Sequence, residues 1–473
     1  MKLASLTYII PAVLINITSA GLTQTITQEE FLTMLKRVHP LFEKENLTAR
    51  IEEKNKQSLT GGQDWNINSS AIFSHEEPAI AIFGPERTDA LSLTGSVDRL
   101  FWRTGGFLNT SLTFNRVNLK VDPMLGIPDS YYQNQFSVSY AHPLLQNKAG
   151  FLNRLQYNLK QYDIDFAGIQ ALENQEGFLA ESAAKFLEWV YLHEQNNIIL
   201  ERLKLSEEAL VNATKKREAN LIDEVDLLRA EDAVAIAKQN LVLGESRFKG
   251  LQAELAVLTQ NNSLYDLKPE HNLYKFEVLP LLEEIISDLK QKSRLIAAIN
   301  TRVRQLEYSR LGFEETMEPS LSILAQFNLK KADKGFGNAL GLDKPDFIGG
   351  LQFSLPLERR TAKYNISRTD LQIRQLEMQR EEITLGLVAA LTNLYIQITE
   401  MENILELNLE QIESARSKTV EELKLYNRGR SDLTFVIQSQ DGEQNAKLNY
   451  AVNALTYHQL YLRYLALTDA ILK

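Results

Sequence analysis

Two stretches decide how this chain is read: KREANLIDEVDLLRAE, Lys216–Glu231, and LYNRGRSDLTFVIQSQ, Leu425–Gln440. Laid over each other without a gap, they place Asn220 on Gly429, Asp223 on Asp432 and Leu228 on Ile437, each pair 209 residues apart. Each stretch interrupts a long polar helical pattern that resumes on the far side, so each reads as a hairpin between two helices of opposite direction. Gly429 suits the left-handed residue that ends a helix, and Asn220 reaches the same conformation at smaller cost than other non-glycine residues. Ser431 or Asp432 in the second copy, and Asp223 in the first, are placed to cap the returning helix. Asp223, Glu224 and Asp226 fit first-turn acids favoured by the helix dipole better than they fit metal ligands.

Working outward, the order helix, strands, helix, break, helix is written twice, which marks an internal repeat. The first repeat covers 21–260, a linker (NNSLYDLKPEHNLYKF and the residue after it) covers 261–277, and the second repeat covers 278–473. The first half opens with a helix near Gln28–Gln57. Leu152, Leu155, Leu159, Tyr162, Phe166 and Ile169 then fall at spacings of 3 and 4, a heptad seam built for coiled-coil packing. Beyond it Ala180, Ala183, Leu187 and Val190 continue a weaker, small-residue seam. An unbroken helix from Gly150 to Ala219 would be on the order of 100 Å long.

Composition removes several function classes. The 473 residues carry 51 basic and 61 acidic side chains, a formal charge of -10, and no basic cluster suited to nucleic acid. No cysteine is present, which excludes disulfides, thiolate chemistry and lipid attachment through cysteine within this chain. The six histidines are scattered, and no nucleophile motif or glycine-rich phosphate loop occurs, so no catalytic, cofactor or metal residue is assigned and the chain does not read as an enzyme. MKLASLTYIIPAVLINITSA, residues 1–20, has the charge, apolar run and small-residue end of a secretory signal. Elsewhere no window reaches the roughly 18 uninterrupted apolar residues of a spanning helix, so membrane crossing would fall to strands.

Four strands are expected beside the long helices: Phe107–Val117, Tyr132–His142, Ser320–Leu329 and Phe347–Leu355. In YQNQFSVSY, Tyr132, Phe136, Val138 and Tyr140 share one face, with Gln133, Gln135, Ser137 and Ser139 on the other. Such alternation fits a bilayer-crossing strand with its polar face toward a lumen, and equally a soluble sandwich with a wet outer face. Four strands cannot close a membrane barrel, so a barrel would be shared, and three chains would supply twelve. DWNINSSAIF at Asp64–Phe73 and LSLTGSVDRLFW at Leu91–Trp102 are further β-like segments that the second half lacks.

These features together resemble the TolC-like outer membrane efflux channels, over nearly all of the sequence after the signal. ITQEEFLTMLKRVHPLF at Ile26–Phe42 is similar to the family's opening helix. HPLLQNKAG at His142 and LPLERRTAK at Leu355 are similar to its strand-to-helix joins, and ANLIDEVDLLRAE and RGRSDLTFVIQSQ to its two hairpin tips. The resemblance implies an α+β membrane protein: a homotrimer with a shared 12-strand β-barrel in the outer membrane lipid, continued into the periplasm by a long α-helical coiled-coil barrel. It implies a passive duct for efflux or type I secretion that docks a periplasmic membrane fusion protein and an inner-membrane transporter.

Docking is expected at the tips, Asn220, Asp223, Asp226 and Leu228 with Gly429, Ser431, Asp432 and Ile437. In the family the face bearing Phe435 and Gln438 turns toward the pore axis, which makes these two the expected periplasmic gate. Acidic residues found at the matching positions in some members are absent here, while Asp441 lies just beyond, so an apolar or amide constriction is the alternative to an acidic ring. The plain alternative for Phe435 is a core residue packed between helices. An alternative from another class is a non-conducting coiled-coil scaffold of the cell envelope, in which the alternating segments form a soluble sandwich.

Overall fold

The computed structural model describes residues 25–79, 84–122, 124 and 126–472; the signal sequence expected over residues 1–20 lies outside them. The first half holds β1 (Thr25–Thr27), α1 (Gln28–Val38), α2 (Pro40–Ser58), β2 (Asn66–Glu76), β3 (Arg87–Leu100), β4 (Phe107–Lys120), β5 (Ser130–Pro143), α3 (Phe151–Glu218) and α4 (Glu224–Leu258). The second holds β6 (Lys268–Glu270), α5 (Leu282–Lys292), α6 (Arg294–Glu315), β7 (Ser320–Asp333), α7 (Phe336–Ala339), β8 (Lys344–Ser354), α8 (Arg360–Asn427) and α9 (Leu433–Leu467).

The repeat is sharper in the structure than at the tips alone. α3 and α8 each run 68 residues and α4 and α9 each run 35. All four boundaries keep the offset read at the hairpins: Phe151 and Arg360, Glu218 and Asn427, Glu224 and Leu433, Leu258 and Leu467. Gly168 and Gly177 lie inside α3 without breaking it. The opening helix differs from expectation, because Pro40 has no N–H to continue the ladder; α1 ends at Val38 and α2 starts at Pro40. Within α8 an 18-residue stretch is apolar enough by length and composition to cross a membrane, yet only 11% of it is buried within the single chain.

The chain forms two compact units, and neither is one of the repeats. One gathers Glu43–Gln175 and Glu283–Ala390, and holds the large sheet. Among the described residues this sheet has six strands, in the order β2-β3-β4-β5-β7-β8, with every neighbouring pair antiparallel. The four expected strands are β4, β5, β7 and β8. The two additional β-like segments also became strands, and β3 pairs with β4 along its whole length, so the sheet contains six strands where four were expected.

Directly paired residues share a face, so the register sorts the sheet into rows. One row is Ile67, Val97, Thr110, Val138, Phe327 and Phe347. The next row, on the opposite face, is Asn68, Ser96, Ser111, Ser137, Asn328 and Asp346. The apolar row includes Ile67 at 81% exposed and Phe347 at 73%. On the polar face Asn328 accepts hydrogen bonds from Ser137 and from Gln326 at 2.8 Å, and Asp98 accepts from Asn68 at 2.8 Å. Ile72, Phe107, Val117, Leu324 and Ile348 are among the apolar exceptions on that polar face.

The join from β5 into α3 is set by backbone conformation. Gly150 has φ 68°, and a Cβ there would overlap the carbonyl of Trp102; Asn147 Oδ1 then caps α3 by accepting from Leu152 N at 2.9 Å. The heptad seam of α3 meets α6, with Tyr162 against Tyr308 and the Arg302 guanidinium 3.9 Å above the Phe166 ring.

The other unit gathers the described residues up to Phe42, Glu176–Leu282 and the described residues from Leu391 onward. Here Ala183 and Leu187 of α3 pack on Leu462 of α9, and β1 lies parallel to β6, which belongs to the linker. A capping box starts α1: Glu30 N donates to the Thr27 hydroxyl while Thr27 N donates to the Glu30 carboxylate.

Candidate functional site

The two hairpins close with the same backbone geometry. At the first, Asn220 has φ 58°, Leu221 N donates to Lys216 O at 2.8 Å, and Asn220 N donates to Arg217 O at 2.9 Å. At the second, Gly429 has φ 68°, Arg430 N donates to Leu425 O at 2.9 Å, and Gly429 N donates to Tyr426 O at 3.1 Å. Both are Schellman caps, with a six-to-one and a five-to-two hydrogen bond satisfying the last carbonyls of the arriving helix. Asparagine therefore performs at position 220 the turn that glycine performs at 429.

The returning helices begin differently. Asp432 caps α9, its carboxylate accepting from Thr434 N at 2.7 Å and from the Thr434 hydroxyl at 2.6 Å, and these bonds hold its pKa below the usual range. Ser431 does not cap; its hydroxyl donates to Glu422 at 2.9 Å. Asp223 has the extended backbone of an N-cap but makes no side-chain cap bond. Arg229 Nη1 lies 2.9 Å from the Asp226 carboxylate and 3.6 Å from that of Asp432, linking the two tips. Arg217 pairs with Glu224 at 3.0 Å, so two of the three first-turn acids have arginine partners.

Beneath the turns a small core joins both hairpins: Ala213, Ala230, Tyr426, Leu433 and Val436, with Ile437 packed against it. Lys216 lies 3.4 Å above the Tyr426 ring and donates to Tyr426 O at 3.1 Å; burial lowers its pKa. Burial raises that of the Tyr426 phenol, helped by the charges of Asp226 and Asp432. Of the expected docking residues, Asn220, Asp223, Asp226, Gly429, Ser431 and Asp432 border one cleft. Leu228 is exposed instead, beside the exposed Leu221 and Val225. Phe435 and Gln438 share an outward face of α9, and Phe435 is 54% exposed in the protomer.

One group above the tips escaped the sequence reading. Arg202 is only 6% exposed, and its Nε and Nη2 donate to Asp441 Oδ1 at 2.9 and 2.8 Å, tying α3 to α9. It also donates to the Ser206 hydroxyl. Arg202 and Ser206 continue the buried spacing of Ile198, Ile199 and Leu203, and a charged residue where an apolar one is due was the available signal.

At the level of sequence, no family model and no curated protein matches. Solved structures do. The outer membrane protein VceC of Vibrio cholerae aligns with TM-score 0.64 at 9% identity, over 93% of this chain and 96% of that one. The Campylobacter jejuni CmeC outer membrane channel aligns with TM-score 0.63 at 12% identity, over 99% and 94%. The open-state Neisseria gonorrhoeae MtrE outer membrane channel aligns with TM-score 0.64 at 13% identity, over 94% and 89%. The fold is TolC-like. A TolC-like fold places a strand-rich region and two long helical hairpins in a single chain, and alignment over nearly the whole of both chains leaves no large segment outside it. The similar proteins are channels, and the paired tips are the ends of this fold's two hairpins.

Proposed function

We propose that this chain is the outer-membrane channel of a tripartite efflux or type I secretion system. It is a homotrimer whose sheets line a pore through the outer membrane and whose helical hairpins reach through the periplasm. The observation carrying this reading is the amphipathic register of the sheet: a row apolar but for Thr110 and an unbroken polar row cross all six strands, as a wall between lipid and water requires. The exposed apolar stretch of α8 supports neighbours supplied by other copies. Leu221, Val225 and Leu228 offer short aliphatic contacts at the tip, suited to the hairpins of a periplasmic fusion protein that couples the channel to an inner-membrane transporter.

The gate in this reading carries no charge: an aromatic ring and an amide. Phe435 and Gln438 face outward from the protomer, while the nearest acids are engaged: Asp441 by Arg202 and Asp432 by its cap.

Fractionation tests the proposal. The protein is expected in the outer membrane as a trimer that survives mild detergent and conducts in planar bilayers. Recovery as a soluble periplasmic monomer would overturn it, and a membrane trimer without conductance would favour the scaffold.

A further inference from the structure

We propose that all six strands enter the barrel wall, so that the trimer closes with β8 of each chain paired to β2 of the next, in a barrel of eighteen strands rather than twelve. This rests on the homotrimeric channel reading. A twelve-strand barrel built from β4, β5, β7 and β8 would need the outer edge of β4 free to receive β8 of the neighbouring chain. That edge is taken: β3 pairs with β4 at every residue from Phe107 to Lys120, and β2 pairs with β3 from Asn66 to Glu76. The unpaired edges of the sheet are therefore β2 and β8, each 11 residues long.

Three physical features suit these two edges to each other. An unpaired edge in lipid leaves backbone groups unsatisfied at several kcal/mol each, so both must be covered. Six antiparallel strands put β2 and β8 in opposite directions, so a β8-to-β2 junction continues the antiparallel ladder without exception. The apolar row begins at Ile67 on β2 and ends at Phe347 on β8, while the polar row begins at Asn68 and ends at Asp346. Joining the edges thus carries both faces around the ring unbroken. A hairpin lying outside the wall has no need to hold either row in register.

The absence of native cysteine makes disulfide mapping clean. Ser69→Cys on β2 is combined in turn with Phe347→Cys, Gly349→Cys and Leu351→Cys on β8, all on the apolar face; Leu112→Cys on β4 is combined with the same three. Oxidation is expected to link neighbouring chains through one or two of the Ser69 pairs and through none of the Leu112 pairs. Links through Leu112 would overturn the proposal, as would failure of every Ser69 pair in a protein that is still an outer-membrane trimer. A chain that is no outer-membrane trimer at all would instead overturn the functional reading on which this rests. Hydrogen exchange on the unmodified trimer supplies the second measurement. Amides of Asn66–Glu76 are expected to exchange as slowly as those of Phe107–Lys120, and rapid exchange confined to alternate residues of β2 would mark a free edge and overturn the junction.

Discussion

Nothing lies within 4 Å of the place where a Cβ would stand on Gly429, so a larger side chain there meets backbone strain and no clash. Gly429→Val is expected to destabilise by about 1–2 kcal/mol, the strain of a β-branched residue in the left-handed region. Asn220→Gly, where the backbone already holds φ 58°, should change stability by less than about 1 kcal/mol. Chaotrope unfolding of the detergent-solubilised trimer measures both, and cross-linking to the partner hairpin should weaken only for Gly429→Val; equal midpoints for Gly429→Val and the parent would remove the turn from the account. Both turns were legible in the sequence because a positive φ selects residue types strongly. The caps were less so: Asp223 and Asp432 occupy matching positions, yet only Asp432 has a hydroxyl and an N–H from Thr434 to bind. Arg202 interrupts an apolar spacing and so left a local signal, but its pairing was illegible, since Asp441 is 239 residues away.

Among the elements, the linker departs most from its sequence reading as a connection of little periodicity. It supplies β6 to pair with β1, then lays Leu273, Tyr274 and Phe276 along α9. An extended segment packing through irregularly spaced aromatics has no period to detect, which is why it read as a tether. Its contact with α9 is titratable. His458 is buried with Nε2 3.0 Å from Leu273 O and the His271 ring 4.8 Å away, and burial, then His271, pushes its imidazole down to about 4. The folded imidazole therefore stays neutral where the unfolded one, near 6.5, takes a proton. Its contribution is complete above pH 6.5 and is lost as pH falls to 4, by up to about 3 kcal/mol. Thermal midpoints from pH 7.5 to 4 should fall accordingly, and His458→Asn should flatten the curve; parallel curves for the two proteins would exclude His458 as the source. The strands show the same limit of periodicity. β4, β5, β7 and β8 were legible from alternation beside the helices, whereas β2 and β3, rich in Ser, Asn and Thr, were seen as β-like but left out of the barrel count.

At the scale of the whole molecule, the proposed gate would need three chains to meet, so its test belongs in the assembled channel. Three Phe435 rings near a threefold axis would close a narrow passage by excluding water. Phe435→Ala is expected to raise single-channel conductance and leave trimer stability within about 0.5 kcal/mol, because the ring is half exposed within each protomer. Divalent cations added from the periplasmic side should block the parent channel only weakly; strong block would indicate an acidic constriction instead. The fold class was legible from order and duplication, although identity to the similar channels is only 9–13% in the three compared, because seam spacing and turn chemistry survive where side-chain identity does not. The equal helix lengths carry a constraint of another kind. With the two tips sharing one small core, removing seven residues from α3 alone would pull its turn back by about 10 Å and strip Ala213 and Ala230 from Tyr426 and Val436. Only matched changes on both sides of both hairpins keep the ends level, so the rods can lengthen or shorten in evolution and in design only as four helices in step.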